Sequence, residues 1–487
     1  RINSTDLRCR VVGEGGNLGF TQRARIEFAL RGGKINTAAI DNSGGVDLSD
    51  HEVNLKILFA EAIAEGKLTL EQRDEYLQNV VDEVVESVLS NNRSQARSLS
   101  HGERRSLTQI DFYSPLIAFL HRNAFLNRDL EALPDDDDLK ERVRQHLGLT
   151  RPELSTVMAG AKMWMKSMLL ESKLVEDPSL EEDLLFYFPE SIREPFRNEI
   201  LGHPLAKNIL ALQIVNSVVD LFGMSFVFRL SQASSVKPLD VLKCCIIAER
   251  LLKGRYLGAE YSKLDTAENN ELFINIKTEV GSALRKTAAW YLSYHREGKV
   301  ADLVWTFSSA HAELIDGLTE ILDEDERLLS EDLFKKYKKA GLSDDISRRL
   351  SLLSWIREAL QILWVSRLAG SSIRSAAYVF KRMLNIVGLR KILNTRGYFQ
   401  FKDKWDYELF NVCADDMWKV LTLFSARLIQ TCGSDEQRLN SSLAELSGLE
   451  DFLVISQSLL DKNLSISGIA VLARKLNEAC TNHSLKA

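Results

Sequence analysis

Proline is absent from this 487-residue sequence beyond Pro238, and the eight prolines all lie in its first half. No apolar run approaches the length of a membrane span, so a membrane partner is not expected. Basic residues are not in excess: the formal net charge is -6, which argues against a dedicated nucleic-acid binder. The six cysteines, Cys9, Cys244, Cys245, Cys413, Cys432 and Cys480, show no CxxC or metal-ligand spacing. They read as buried thiols of an intracellular protein, with a cytoplasmic location the expectation. The acidic run Asp135-Asp136-Asp137-Asp138 lacks the glycine and spacing of a calcium loop, and reads as a solvated linker. No fixed-period repeat of the solenoid kind is present. The opening Arg1-Ile2-Asn3-Ser4-Thr5-Asp6 has neither an initiator methionine nor an apolar leader, so the chain is expected to start inside a domain.

What is present is concentrated between Val11 and Lys56. A short apolar run at Cys9, Val11 and Val12 ends in the cluster Gly13, Gly15, Gly16 and Gly19. An amphipathic segment with Ile26, Phe28, Ala29 and Leu30 follows, broken by Gly32-Gly33. A second strand-like run, Ile35 to Ile40, leads to Asp41-Asn42-Ser43-Gly44-Gly45. Strand, glycine loop, helix, strand, glycine loop is the pattern of a βαβ unit in a parallel sheet. Ligands of such sheets bind at the carboxyl ends of the strands, where both glycine loops fall. Gly13-x-Gly15 suggests a dinucleotide fingerprint with Asp41 placed for a ribose hydroxyl, but Leu18 stands where a glycine or alanine belongs. The same glycines also suit a tight strand-to-helix turn without any ligand.

Helix signals fill the remainder. Ser49-Asp50-His51-Glu52 has the form of a capping box, predicting a helix from Asp50. Thr69-Leu70-Glu71-Gln72 predicts another, running past Val80, Val84 and Val88 until Asn91-Asn92 ends it. Arg97 to Arg105 reads as loop, Ile110 to Asn127 as a packed helix, and Ala132 to Lys140 as linker. Thr150-Arg151-Pro152-Glu153 opens a further helix, with proline in the first turn where its missing N–H is harmless. Past Pro238, apolar residues keep helical spacing through Val241–Leu252, Leu272–Leu292, Leu314–Leu322, Ile346–Leu368, Ala376–Val387, Leu409–Ile429, Leu453–Leu460 and Ile466–Leu476. Long proline-free helical patterns predict an all-α region packed helix on helix, with the six tryptophans from Trp290 to Trp418 at helix crossings.

Two loops carry a family resemblance. Glu14-Gly15-Gly16-Asn17 resembles the EGAN-type loop of glutamate dehydrogenases, and Asn42-Ser43-Gly44-Gly45-Val46-Asp47-Leu48-Ser49 resembles the segment closing their nicotinamide and substrate pocket. GEGGNLGFTQRARIEF and INTAAIDNSGGVDLSDHEVNLK are closest to the large NAD-specific bacterial enzymes. Leu149–Leu174 and Phe186–Val219 resemble the C-terminal helical region of those enzymes, and Trp405 to Leu428 does so more faintly.

The resemblance implies a mainly α chain: a partial α/β Rossmann lobe at the N-terminus, followed by a large all-α helical domain. The expected division is 1–60 for the remainder of the lobe, 61–130 for helices completing the catalytic core, 131–149 for the linker and 150–487 for the helical domain. It implies NAD as cofactor, L-glutamate and 2-oxoglutarate as substrates, and a homo-oligomer. Gly15 and Gly16 would let backbone approach the cofactor, and Asn17 and Asn42 would meet its nicotinamide end. Asn42, Val46 and Ser49 would line the substrate pocket, Ser49 taking the side-chain carboxylate. Asn42 equally suits a turn, and Ser49 a helix cap. The family's catalytic lysines and aspartate match no position here, and neither Lys56 nor Asp50 is promoted to fill the gap. They and the true dinucleotide fingerprint are expected upstream, leaving the isolated chain inactive. Another amino-acid dehydrogenase, or a helical scaffold with a degenerate nucleotide lobe, are the alternatives.

Overall fold

The computed structural model describes residues 3–16, 19–294, 298–394, 399, 401, 404–433, 435–444, 447–461 and 465–481. The fold is mainly α, as expected. Two compact units divide the chain, one formed by Arg1–Arg255 with Tyr291–Val304 and the other by Tyr256–Trp290 with Trp305–Ala487.

The first unit opens with strands β1 (Val11–Val12) and β2 (Lys34–Ile35), joined by helix α1 (Gln22–Leu30). The strands pair in parallel, Val11 against Lys34 and Val12 against Ile35. Among the described residues this is the whole of the sheet. The second strand is shorter than its apolar run suggests, because Ala38–Asp41 folds as helix α2. Asn36 and Thr37 bring hydrogen-bonding side chains that favour a turn, and the Asn36 amide donates to Asp41 Oδ1 at 2.7 Å across it.

Helix α3 runs Ser43–Ala64, so it begins at Ser43 and not at Asp50, and Gly44-Gly45 form its first turn instead of a loop. Two glycines in a helix cost roughly 1 kcal/mol each relative to alanine. Here a neighbouring helix offsets that cost. After α4 (Leu70–Asn79), helix α5 continues from Val81 to Gln109, through Asn91-Asn92 and through the stretch expected to loop. The Asn92 amide donates to Ser43 Oγ at 2.7 Å and to the Ile40 carbonyl at 3.1 Å, and Asn91 donates to Asp47 Oδ2 at 2.9 Å. An asparagine weakens a helix by competing for its backbone. These two amides are engaged elsewhere, so α5 is not interrupted.

Helix α6 (Tyr113–Arg122) follows. The acidic run then opens α7 (Asp136–Arg144) in place of a plain linker. Asp135 accepts from the backbone N–H of Asp137 and Asp138 at 2.9 and 2.8 Å, while the arginines lie in the last turn, as the helix dipole favours. Helix α8 (Arg151–Leu170) starts where the sequence places it, with Thr150 and Glu153 closing a capping box. Glu153 is fully buried, accepts from Thr150 N at 2.7 Å, and meets the Arg142 guanidinium in a bidentate pair at 2.6 and 2.7 Å. Helices α3, α5 and α8 and the helix Ala206–Phe222 enclose the core of this unit, around Leu58, Phe59, Leu99, Leu154, Val157 and Val215.

The second unit is helical throughout its described residues. Lys404–Cys432 packs against Ile356–Ala369, Ile373–Val387 and Ile466–Thr481, burying Phe380, Met417, Leu421 and Leu476. The apolar period predicted over Ile346–Leu368 is divided by a short 3-10 turn at Leu353–Trp355. Trp290, Trp355, Trp364 and Trp418 pack in helix crossings, Trp290 edge-on to Phe307 and to Trp364. Trp305 and Trp405 do not: they are 85% and 67% exposed. No single helix among the described residues is long and apolar enough to cross a membrane.

Two histidines are buried at α3, His51 on the helix itself and His203 against it. His203 accepts from Leu205 N at Nδ1 (3.1 Å) and donates from Nε2 to the Asn54 carbonyl (3.1 Å), an arrangement only the neutral ring can make. His51 stacks on Tyr187 with 4.2 Å between ring centres. Burial lowers the pKa of both against the opposing pull of nearby carboxylates, and for His203 of its own backbone hydrogen bond as well. An unfolded chain therefore takes up these protons first, and stability falls as pH drops below the ordinary histidine value of about 6.5. Chemical denaturation at pH 7 and pH 5.5 is expected to register that fall, with His51→Phe losing less than wild type. Removing the buried carboxylate in Glu153→Ala is expected to cost about 3–5 kcal/mol by the same measurement, since Arg142 is left without its partner.

Candidate functional site

The first glycine segment follows the carboxyl end of β1, and Asn36 to Asp41 follows that of β2. Glu14 stands inside the first segment with its side chain buried, and Arg25 from α1 meets both of its oxygens at 2.6 and 2.7 Å. The Phe20 backbone N–H adds a third donor at 3.1 Å. Charge-assisted pairs of this fork geometry are the strong ones, and they fix the angle between α1 and the segment.

Asp41 then joins the two segments. Its Oδ2 accepts from the backbone N–H of Glu14 at 2.9 Å, and its Oδ1 from Asn36. The carboxylate that spacing assigns to a ribose hydroxyl is thus engaged in binding one glycine segment to the other. Gly15 and Gly16 are exposed, and a Cβ at either would meet no described atom within 4 Å. Asn17 lies outside the described residues.

Asn42 is half-buried at the N-cap of α3. Its side chain makes no hydrogen bond among the described residues and lies over Gly45, where a Cβ would come within 2.8 Å of its Oδ1. Val46 is 57% exposed. Ser49 is also exposed, three residues further along the same helical face. It does not cap the helix: lying inside α3, it donates its hydroxyl to the Val46 carbonyl at 2.8 Å. Asn42, Val46 and Ser49 therefore rise along the first turns of one helix, whose N-terminus carries the partial positive charge that favours an anion.

Asp47 faces the other way. Besides Asn91 it has His51 Nε2 at 3.8 Å, and the His51 ring nitrogens have no hydrogen-bond partner among the described residues. Lys162 of α8 is half-buried, its ammonium destabilised by burial against the pull of Asp220 and Asp47. The Tyr187 hydroxyl, pushed up to about 12 chiefly by burial, accepts from the Asn54 amide at 2.8 Å.

Of the residues that hold the site, the sequence singled out Asp41, though for a ribose hydroxyl and not for a structural link. Glu14 with Arg25 had a visible signal, an acid within a glycine run and a basic residue on the following helix. Asp47 with Asn91 and Asn36 with Arg151 had none, because each pair joins distant segments.

The family model described as "Bacterial NAD-glutamate dehydrogenase, catalytic domain" matches residues 1–102. The one described as "Glutamate dehydrogenase, C-terminal" matches residues 146–477. Among curated proteins, the NAD-specific glutamate dehydrogenase of Halomonas elongata is 31% identical over 417 residues, and that of Pseudomonas aeruginosa 32% over 418. The Mycobacterium tuberculosis protein of the same name is 28% identical over 424 residues. Each alignment covers 86% of this chain but 26% of the relative, so the chain spans about a quarter of their length. With two consecutive family models matched, the second over more than half its residues, the chain belongs to the bacterial NAD-glutamate dehydrogenase family.

Proposed function

We propose that this chain contributes the closing part of a Rossmann lobe and the C-terminal helical region to an NAD-dependent glutamate dehydrogenase, oxidising L-glutamate to 2-oxoglutarate and ammonium. The observation that carries this reading is the Glu14 N–H to Asp41 contact of 2.9 Å, which sets both glycine segments side by side at the carboxyl ends of parallel strands.

On this reading Gly15 and Gly16 admit the cofactor's backbone-facing edge, and the exposed position of both supports that. Asn17 and Asn42 hold the nicotinamide end. The Asn42 amide both donates and accepts, which suits a carboxamide or an amino acid, and no described protein group competes for it. When bound, NAD supplies the hydride acceptor. Val46 forms an apolar wall for the substrate's methylene groups, and Ser49 turns its hydroxyl from the Val46 carbonyl to donate to the side-chain carboxylate, near a helix end that favours negative charge. None of these side chains moves a proton. The base and the cations for the α-carboxylate are assigned to the preceding part of the polypeptide, as no lysine or aspartate here matches their motifs. Residues 1–60 then form the end of the cofactor lobe, 61–130 complete the core, and 150–487 serve the assembly of a cytoplasmic homo-oligomer.

Steady-state assays of the complete polypeptide test the reading. Ser49→Ala is expected to raise KM for glutamate about tenfold, the loss of one hydrogen bond to a charged group, while sparing KM for NAD. A substrate panel showing no preference for glutamate over apolar amino acids would favour a different dehydrogenase. The isolated 487-residue chain is expected to turn over no glutamate, and robust activity from it would refute the assignment of the catalytic groups elsewhere.

A further inference from the structure

Arg151 is the first residue of α8, in the segment matched by the C-terminal family model, yet its side chain reaches into the segment matched by the catalytic one. Its Nη1 donates to Ser100 Oγ at 2.7 Å and its Nη2 to the Ala96 carbonyl at 3.2 Å, both on α5, with Glu103 Oε2 at 3.7 Å. The remaining edge, Nε, donates to Asn36 Oδ1 at 2.7 Å. Asn36 passes the contact on, its amide nitrogen donating to Asp41 Oδ1 at 2.7 Å, and Asp41 Oδ2 receives the Glu14 backbone N–H at 2.9 Å.

The direction of this series is fixed. Turning the Asn36 amide over would set its NH2 against a guanidinium and its oxygen against a carboxylate, so Arg151 and Asp41 together allow one orientation. Arginine suits the task because its planar fork holds several acceptors in one rigid geometry, which a lysine does not. At the far end, Glu14 is tied through its backbone N–H to Asp41 and through its carboxylate to Arg25 and Phe20 N. A Cβ at Gly13, Gly15 or Gly16 would touch no described atom within 4 Å, so packing does little to hold this segment.

We infer that Arg151 is a positioning residue for the glycine segment Gly13–Gly16, acting through Asn36 and Asp41 on the Glu14 backbone. The helical region thereby holds the cofactor side of the proposed dehydrogenase site; this step rests on the cofactor assignment above. Release of Arg151 frees the Asn36 amide to rotate, Asp41 loses a donor, and the segment samples positions that NAD binding must then restrict.

Three proteins decide it, each as the complete polypeptide: wild type, Arg151→Met and Asn36→Asp. Arg151→Met also releases Ser100 and Ala96, so Asn36→Asp is the discriminating variant. It retains a partner for Arg151 but sets a carboxylate against Asp41. Both variants are expected to speed hydrogen exchange at the Glu14 amide and to raise KM for NAD about tenfold, or ~1.4 kcal/mol, with KM for glutamate unmoved. Wild-type exchange at Glu14 in both variants, or in Asn36→Asp alone, overturns the inference. Faster exchange with an unaltered KM for NAD overturns the cofactor assignment of the segment and leaves the relay standing.

Discussion

A carboxylate withdrawn from water must be matched by a cation and by further donors, or the fold that buries it is not stable. Glu14 imposes that requirement within a run of glycines between a two-residue strand and a helix. Arg25 answers it in fork geometry, so α1 cannot shift without breaking two short contacts at once. The backbone of the same residue then serves Asp41, and through it the start of α3 is brought beside the glycine segment. Asn42, Val46 and Ser49 follow along the first turns of that helix.

Local chemistry was legible. The capping boxes at Thr69 and Thr150 involve residues three apart, so a short window of sequence contains each of them. Long amphipathic periods past Pro238 became helices whose buried apolar faces pack on neighbouring helices. The acidic run at Asp135 carried a capping signal as well, masked by reading four adjacent charges as solvated chain.

Misreadings arose where a remote side chain overrides a local preference. Gly44 and Gly45 suggest a loop, but Asn92 and Val88 of α5 press against that turn and make it helical. With the start moved to Ser43, Ser49 falls inside α3 and has no cap to provide. Asn91 and Asn92 suggest a stop, but their amides are drawn off to Asp47 and Ser43. At the site, motif likeness located Asn42, Val46 and Ser49 on one helix, whereas the groups that secure them lie far along the chain. Arg151 stands 115 residues from Asn36, a separation no window of sequence connects.

Helix α5 bears on how this architecture tolerates change over evolution. At 1.5 Å per residue its 29 residues make a rod of about 43 Å, and groups along it hydrogen-bond to several other segments. Asn91 and Asn92 serve α3 and α2, Ala96 and Ser100 serve Arg151, Ser98 serves Asp220, and Ser106 serves Leu149. One residue added or removed in such a rod turns everything beyond it by about 100°. Substitutions are absorbed one contact at a time, but a single-codon insertion or deletion between Asn92 and Ser106 would aim every later contact at the wrong neighbour. In this chain, room for a change of length is thus left only at the ends of the rod.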